Sequence, residues 1–128
     1  RSLKAHPEDV AMYQTLGDTY QEMGRPDDAL AQYRAATQAA PKNVAAFNKL
    51  GVALAERGLY AEAVQAFQNA VTLEPAFAEA YYHWGETEER AGQPANAIEV
   101  YQQLIGIAPN NDWAKKAQER LTALEAGQ

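Results

Sequence analysis

The chain copies itself every 34 residues, and this period limits its possible folds more than any other feature. Pro7, Pro41, Pro75 and Pro109 are each 34 apart, as are Gly17, Gly51 and Gly85, and Gly24, Gly58 and Gly92. Ala29, Ala63 and Ala97 keep the same interval. Two aromatic columns do so too: Tyr13, Phe47, Tyr81 and Tyr33, Phe67, Tyr101. Six columns stay in phase over three copies. A period of about 20–50 residues marks supersecondary units that cannot bury their apolar faces alone and must stack to share a core.

Each copy divides into two helical patterns. In the first helix of the second copy Val44, Phe47, Leu50, Gly51 and Leu54 fall at helical spacing. Asn43 is positioned to cap its start and Gly58 to close its end. The second helix is predicted over Tyr60 to Leu73, with Ala63, Val64, Phe67, Ala70 and Val71 on its apolar face, and Pro75 stops it. In the first and third copies this helix opens with Pro26 and Pro94, residues suited to a first helical turn. The small columns, Gly17 and Ala29 and their equivalents, let two antiparallel helices approach closely, with the aromatic columns filling the space beside them.

A large apolar residue followed by Leu-Gly, then Tyr or Leu, Gly, Ala, an aromatic, Ala and Pro at a 34-residue period resembles the tetratricopeptide repeat. The resemblance implies an all-α fold, a right-handed superhelical array of antiparallel helix pairs. Three repeats are expected at 8–41, 42–75 and 76–109, followed by a capping helix in 110–128, all within a single domain. Departures from the pattern are local: Trp84 for Leu, Glu88 for Tyr20 or Leu54, Leu104 for Ala36 and Ala70, and the prolines for Tyr60.

The two ends break the period differently. Residues 1–7, "RSLKAHP", align with the tail of a second helix, as though a preceding repeat had been truncated. The expectation is seven helices and a short N-terminal stub in a piece of a longer protein. Residues 112–126 form one more amphipathic helix with the stripe Trp113, Ala114, Ala117, Leu121 and Leu124, capped by Asn111 or Asp112. Its remaining columns hold Lys115, Gln118, Glu119 and Thr122, which suits a terminal helix facing water.

Composition narrows the function classes. The net charge of -6 argues against nucleic acid, whose phosphates require basic patches. No apolar run is long enough for a membrane span and no signal-peptide pattern is present. With zero cysteines there is no disulfide or thiolate metal site. The two histidines, His6 and His83, lie in different copies without metal spacing, and no catalytic set or phosphate loop emerges, so no enzyme, metal or cofactor is expected. His6 reads as a solvated turn residue and His83 as a groove residue near carboxylates. The Ala- and Gln-rich style suits a bacterial protein, while compartment is left open.

Binding remains. In tetratricopeptide domains the first helix of each pair lines a concave surface, and the resemblance implies the same arrangement here. The groove candidates are Gln14, Asp18, Gln21 and Glu22 in the first copy, and Asn48, Lys49, Val52 and Glu56 in the second. In the third they are Glu79, Tyr82, His83, Glu86 and Glu89, with Lys116 and Arg120 of the last helix at the edge. Some family members clamp a chaperone's C-terminal carboxylate. The matching positions are Gln14, Asp18, Lys49, Glu79 and His83, and the two acids among them oppose such a ligand. Only Asn48 lies near the asparagine ladder of sugar-transferase relatives. Acids outnumber bases along the face, which points to a peptide or amphipathic helix of a partner protein with basic character. Tyr82 would serve as its apolar anchor. The alternative is a structural module that self-associates through its edges or convex face, with Leu3 exposed at the N-terminal edge. Glu88 is expected to face water or pair with a base such as Lys115, and its groove-side neighbours Glu86 and Glu89 to form an acidic wall.

Overall fold

A computed structural model describes residues 7–127. Among these the chain forms seven α-helices. They are α1 (Pro7–Glu22), α2 (Pro26–Ala39), α3 (Val44–Glu56), α4 (Tyr60–Leu73), α5 (Ala78–Arg90), α6 (Pro94–Ile107) and α7 (Asp112–Ala126). The N-terminal stub, with Leu3 and His6, lies outside the described residues. Pro7, aligned above with the end of a preceding repeat, instead opens α1.

The helix ends follow from local chemistry. Asn43 accepts the Ala46 N–H at 2.9 Å and Asn111 accepts the Trp113 N–H at 2.8 Å, each satisfying an orphan donor of a first turn. Pro26 and Pro94 occupy first-turn positions of α2 and α6. Where a first helix passes to a second, the chain needs a left-handed residue, and Gly24, Gly58 and Gly92 adopt φ of 75°, 78° and 77°. The Arg25 N–H then reaches the Tyr20 carbonyl at 2.8 Å, the Leu59 N–H that of Leu54 at 2.9 Å, and the Gln93 N–H that of Glu88 at 2.8 Å. These bonds, with those from the glycine N–H groups to the carbonyls three residues back, make three Schellman closures.

Consecutive helices pack antiparallel along the whole array, α1 on α2 through to α6 on α7. The first helices also approach one another, α1 to α3, α3 to α5 and α5 to α7. Among the described residues α2, α4 and α6 make no such approach to each other. An array whose odd helices are closer than its even helices curves, with the odd helices on the inside. The concave face is therefore built by α1, α3, α5 and α7.

Within each pair an aromatic of the second helix lies on a glycine of the first. Tyr33 covers Gly17, Phe67 covers Gly51 and Tyr101 covers Gly85, so closely that a Cβ on Gly51 would stand 2.5 Å from the Phe67 ring. Phe67, Tyr101, Leu54 and Leu104 are among the most deeply buried side chains. Leu104, larger than the alanines of its column, packs in a cluster with the small Ala114 and Ala117 of α7. The predicted stripe of α7 faces this core, with Ala114, Ala117 and Leu121 buried and Trp113 and Leu124 half-buried.

Candidate functional site

Neighbouring first helices meet in a fixed register. The Asn48 Nδ2 donates to Glu79 at 2.9 Å, Lys49 Nζ lies 3.3 Å from Asp18, and Arg120 Nε donates to Glu89 at 3.1 Å; each pair is 31 residues apart. That interval is the 34-residue repeat less about one helical turn, the step between facing positions of stacked first helices. Val52 and His83 stand in the same relation, as do Tyr82 and Trp113, whose ring centroids are 5.4 Å apart.

Two cavities open on the concave face, and Val52 and His83 line both. The larger, about 240 Å³, lies toward α1 and reaches Asp18, Asn48, Lys49 and Glu79. The smaller, about 150 Å³, lies toward α4 and reaches Ala55, Phe67 and Glu86. His83 is held between carboxylates, its Nε2 3.5 Å from Glu79 and its Nδ1 3.2 Å from Glu86. Its ring also stacks against Phe67 at 6.0 Å and meets Trp113 edge-on at 5.3 Å. The Asn48 Oδ1 is buried and accepts no hydrogen bond among the described residues.

The structure thus gathers Asp18, Asn48, Lys49, Val52, Glu79, His83 and Glu86 around these cavities. Gln14, half-buried on α1, does not line either. Tyr82 and Glu89 are drawn into the junction with α7. Tyr82 packs among His83, Tyr101 and Trp113. Glu89 accepts the Tyr101 hydroxyl at 2.5 Å and is paired with Arg120. Burial alone would raise the Glu89 carboxyl's pKa, but the hydrogen bonds from Arg120 and Tyr101 outweigh it and hold the group below the usual carboxylate range. Its own burial, and then the same contact, push the Tyr101 hydroxyl well above the ordinary phenol range. Asn48, Tyr82 and Glu89 are therefore parts of the packing as well as of the face. Glu88 does not pair with Lys115. It accepts the Trp84 indole N–H at 3.3 Å, one helical turn away.

Gln21 and Glu56 also join across the groove, Nε2 to Oε1 at 3.1 Å. The pairing that the sequence reading missed is the tyrosine tie. Tyr33 donates its hydroxyl to Asp18, and Tyr101 does the same to Glu89. Opposite charges spaced 31 residues apart, Asp18 with Lys49 and Glu89 with Arg120, were the available signal.

A family model described as tetratricopeptide repeat matches residues 15–76 and 57–112. The chain belongs to the tetratricopeptide repeat family. No curated protein matches it in sequence. Solved tetratricopeptide structures superpose on nearly its full length. The first such domain of Spaghetti (RPAP3), bound to the HSP90 peptide SRMEEVD, is 20% identical with a TM-score of 0.85 and covers 98% of both chains. The TPR2B domain of yeast Sti1 in complex with pHsp70 is 17% identical with a TM-score of 0.86, over 94% of this chain and 99% of that one. PcrH of Pseudomonas aeruginosa, in complex with the chaperone binding region of PopD, is 22% identical with a TM-score of 0.86 and covers 98% of both. At these identities the likeness establishes the tetratricopeptide fold.

Proposed function

We propose that this tetratricopeptide array is a protein-interaction scaffold whose concave face holds a peptide or helix of basic character from a partner protein. The observation that carries this reading is the charge around the two cavities. Asp18, Glu56, Glu79 and Glu86 face them, against Lys49 and Arg90. Lys49, the lysine at a clamp-like position, is already engaged by Asp18 at 3.3 Å. A carboxylate-terminated ligand would have to displace that contact and would then meet Glu79. Glu89, paired with Arg120, drops out of the acidic wall, so the attraction for a base centres on Glu56 and Glu86. The peptide complexes formed by Spaghetti and PcrH support the use of such a fold for short segments.

The test is a random peptide library displayed on phage and selected on the full chain. The expected binders carry lysine or arginine, and their affinity falls with rising salt. Selection of acidic, salt-insensitive peptides would overturn the basic-partner reading. Glu86→Lys should slow association of the basic binders while leaving the melting temperature unchanged.

One observation favours self-assembly as a second reading. Met12 is 50% exposed and Leu16 38%, whereas their counterparts Ala46 and Leu50 in the next repeat are covered at 0% and 8%. Light scattering over a range of concentrations separates the two: a constant monomer mass excludes assembly through the α1 face.

A further inference from the structure

The repeats differ where the second-helix aromatic meets the groove. In the first, Tyr33 donates to Asp18 and Lys49 of the next first helix lies against the same carboxylate. In the third, Tyr101 donates to Glu89 and Arg120 of α7 holds that carboxylate from the other helix. Each outer repeat thus joins hydroxyl, carboxylate and base across the groove floor. The middle repeat has no such tie. Phe67 lacks the hydroxyl, and Val52 and Ala55 stand at the positions of Asp18 and Glu89. The base position, 31 residues beyond Val52, is occupied by His83, which stacks on Phe67 instead.

Where the first-repeat tie puts Tyr33, Asp18 and Lys49 on the wall of the larger cavity, the middle repeat has no polar group at the Val52, Ala55 and Phe67 positions. The cavity of about 150 Å³ lies on Val52, Ala55 and Phe67. Phe67 and Ala55 are 0% and 6% exposed, so the floor is apolar and shielded. The Thr87 hydroxyl beside them is committed to the His83 carbonyl at 2.7 Å. The rim is charged, with Glu56, Glu86 and Arg90. Glu56 forms no ion pair among the described residues.

We propose that this window in the middle repeat is the specificity-determining subsite of the groove. It takes one aliphatic or aromatic side chain from a partner segment in which lysine or arginine flanks that residue. The inference rests on the reading that the concave face binds a partner peptide. A cavity of about 150 Å³ with an apolar floor and a charged rim has room for a group the size of benzene, which matches one leucine, methionine or phenylalanine side chain. Two rim carboxylates, with Asp18 and Glu79 in the adjoining cavity, outnumber Lys49 and Arg90 and complement the flanking cations.

Val52→Asp combined with Phe67→Tyr gives the middle repeat the residue types that the first repeat carries, so the fold has a precedent for them. Peptides selected from the phage library are titrated calorimetrically against wild type and this double variant. The expected peptides share one apolar position flanked by bases. The variant should melt like wild type and bind at least about tenfold more weakly. Replacing the shared apolar residue by alanine should weaken binding to wild type by a similar factor and to the variant by much less. Should the double variant melt early, Phe67→Tyr alone, which adds one hydroxyl, is expected to weaken binding in the same direction. Peptides that bind the folded variants as tightly as wild type overturn the inference and leave the scaffold reading standing. A library that yields no binder overturns both.

Discussion

Two glycines in helices carry opposite predictions because their surroundings differ. Gly51 lies under Phe67, and a Cβ there would arrive 2.5 Å from the buried ring, which must then leave its packed position. Gly51→Ala should therefore destabilise by about 1–3 kcal/mol through overpacking. Gly106 is exposed near the end of α6, and an added Cβ would meet nothing within 4 Å. Gly106→Ala should stabilise by about 0.4–1 kcal/mol by reducing the freedom of the unfolded chain. Thermal melts of the two variants should shift in opposite directions, and equal shifts would show that the glycine column is not set by the aromatic. Glu89 gives a pH-dependent counterpart. Its folded pKa is held below the ordinary value by Arg120 and Tyr101 against the opposing effect of burial. A depressed carboxylate contributes stability above its unfolded pKa and loses that contribution as pH falls through the folded value. Glu89→Gln should thus destabilise at pH 7 by about 1.5–3 kcal/mol, the range for hydrogen bonds to a charged group. The gap from wild type should narrow below about pH 4. Urea melts at neutral and acid pH measure both, and a gap that persists in acid would assign the loss to packing.

At the scale of the helix, two departures from the repeat are a single event. Trp84 replaces a leucine and brings an indole N–H into a half-buried setting, where it requires an acceptor. Glu88, four residues on, supplies it at 3.3 Å. Tyr81 stacks on the same indole at 6.1 Å, so the new ring is packed as well as bonded. Trp84→Leu leaves the carboxylate without its donor, and Glu88→Leu leaves the indole unpaired; each should cost about 1 kcal/mol or more. The double substitution restores the leucine pair of the second repeat, Leu50 and Leu54. A coupling of about 0.5–3 kcal/mol is expected in a denaturant-melt cycle, and strict additivity would separate the two changes. Helix limits were legible in the sequence because their causes are local: Asn43 and Asn111 at caps, Pro26 and Pro94 in first turns, Gly58 at a closure. The Trp84–Glu88 bond was legible in principle from four-residue spacing. The groove was harder, because each of its pairs joins two repeats. Glu89 reads from sequence as an open acid, yet its state is set by Tyr101 on the next helix and Arg120 on the helix after that. Val52 reads as an apolar oddity on a polar face, and only beside Phe67 and Ala55 does it become part of a cavity.

Across the whole molecule, stability is passed between neighbours, since each helix packs chiefly on those beside it in sequence. One core cluster runs from Ala29 on α2 to Ala80 on α5, and another from Ala78 on α5 to Leu121 on α7. Val71 and Trp84 pack against both, which joins them into a continuous interior. α1 is tied in less completely. Val10 belongs to a small cluster with Ala36 and Ala46, and Gly17 is covered by Tyr33. The opposite side of α1 leaves Met12 and Leu16 exposed, whereas the matching side of α3 buries Ala46 and Leu50. A helix with one covered side opens at a lower free energy than a helix covered on two. α7 also has an uncovered side, but its polar columns face outward there and its apolar stripe is buried, so that side loses little. Protection from amide hydrogen exchange should therefore fall along the array in an asymmetric way. Amides in α3, α4 and α5 should exchange slowest, those of α7 more quickly, and those of α1 about 10- to 100-fold faster than the centre, equivalent to roughly 1.4–2.8 kcal/mol of opening free energy. Met12→Gln with Leu16→Gln should leave this order intact, because these side chains bury little in the array. Equal protection in α1 and α4 would mean that the array opens only as a unit, and that the uncovered α1 face carries no energetic consequence.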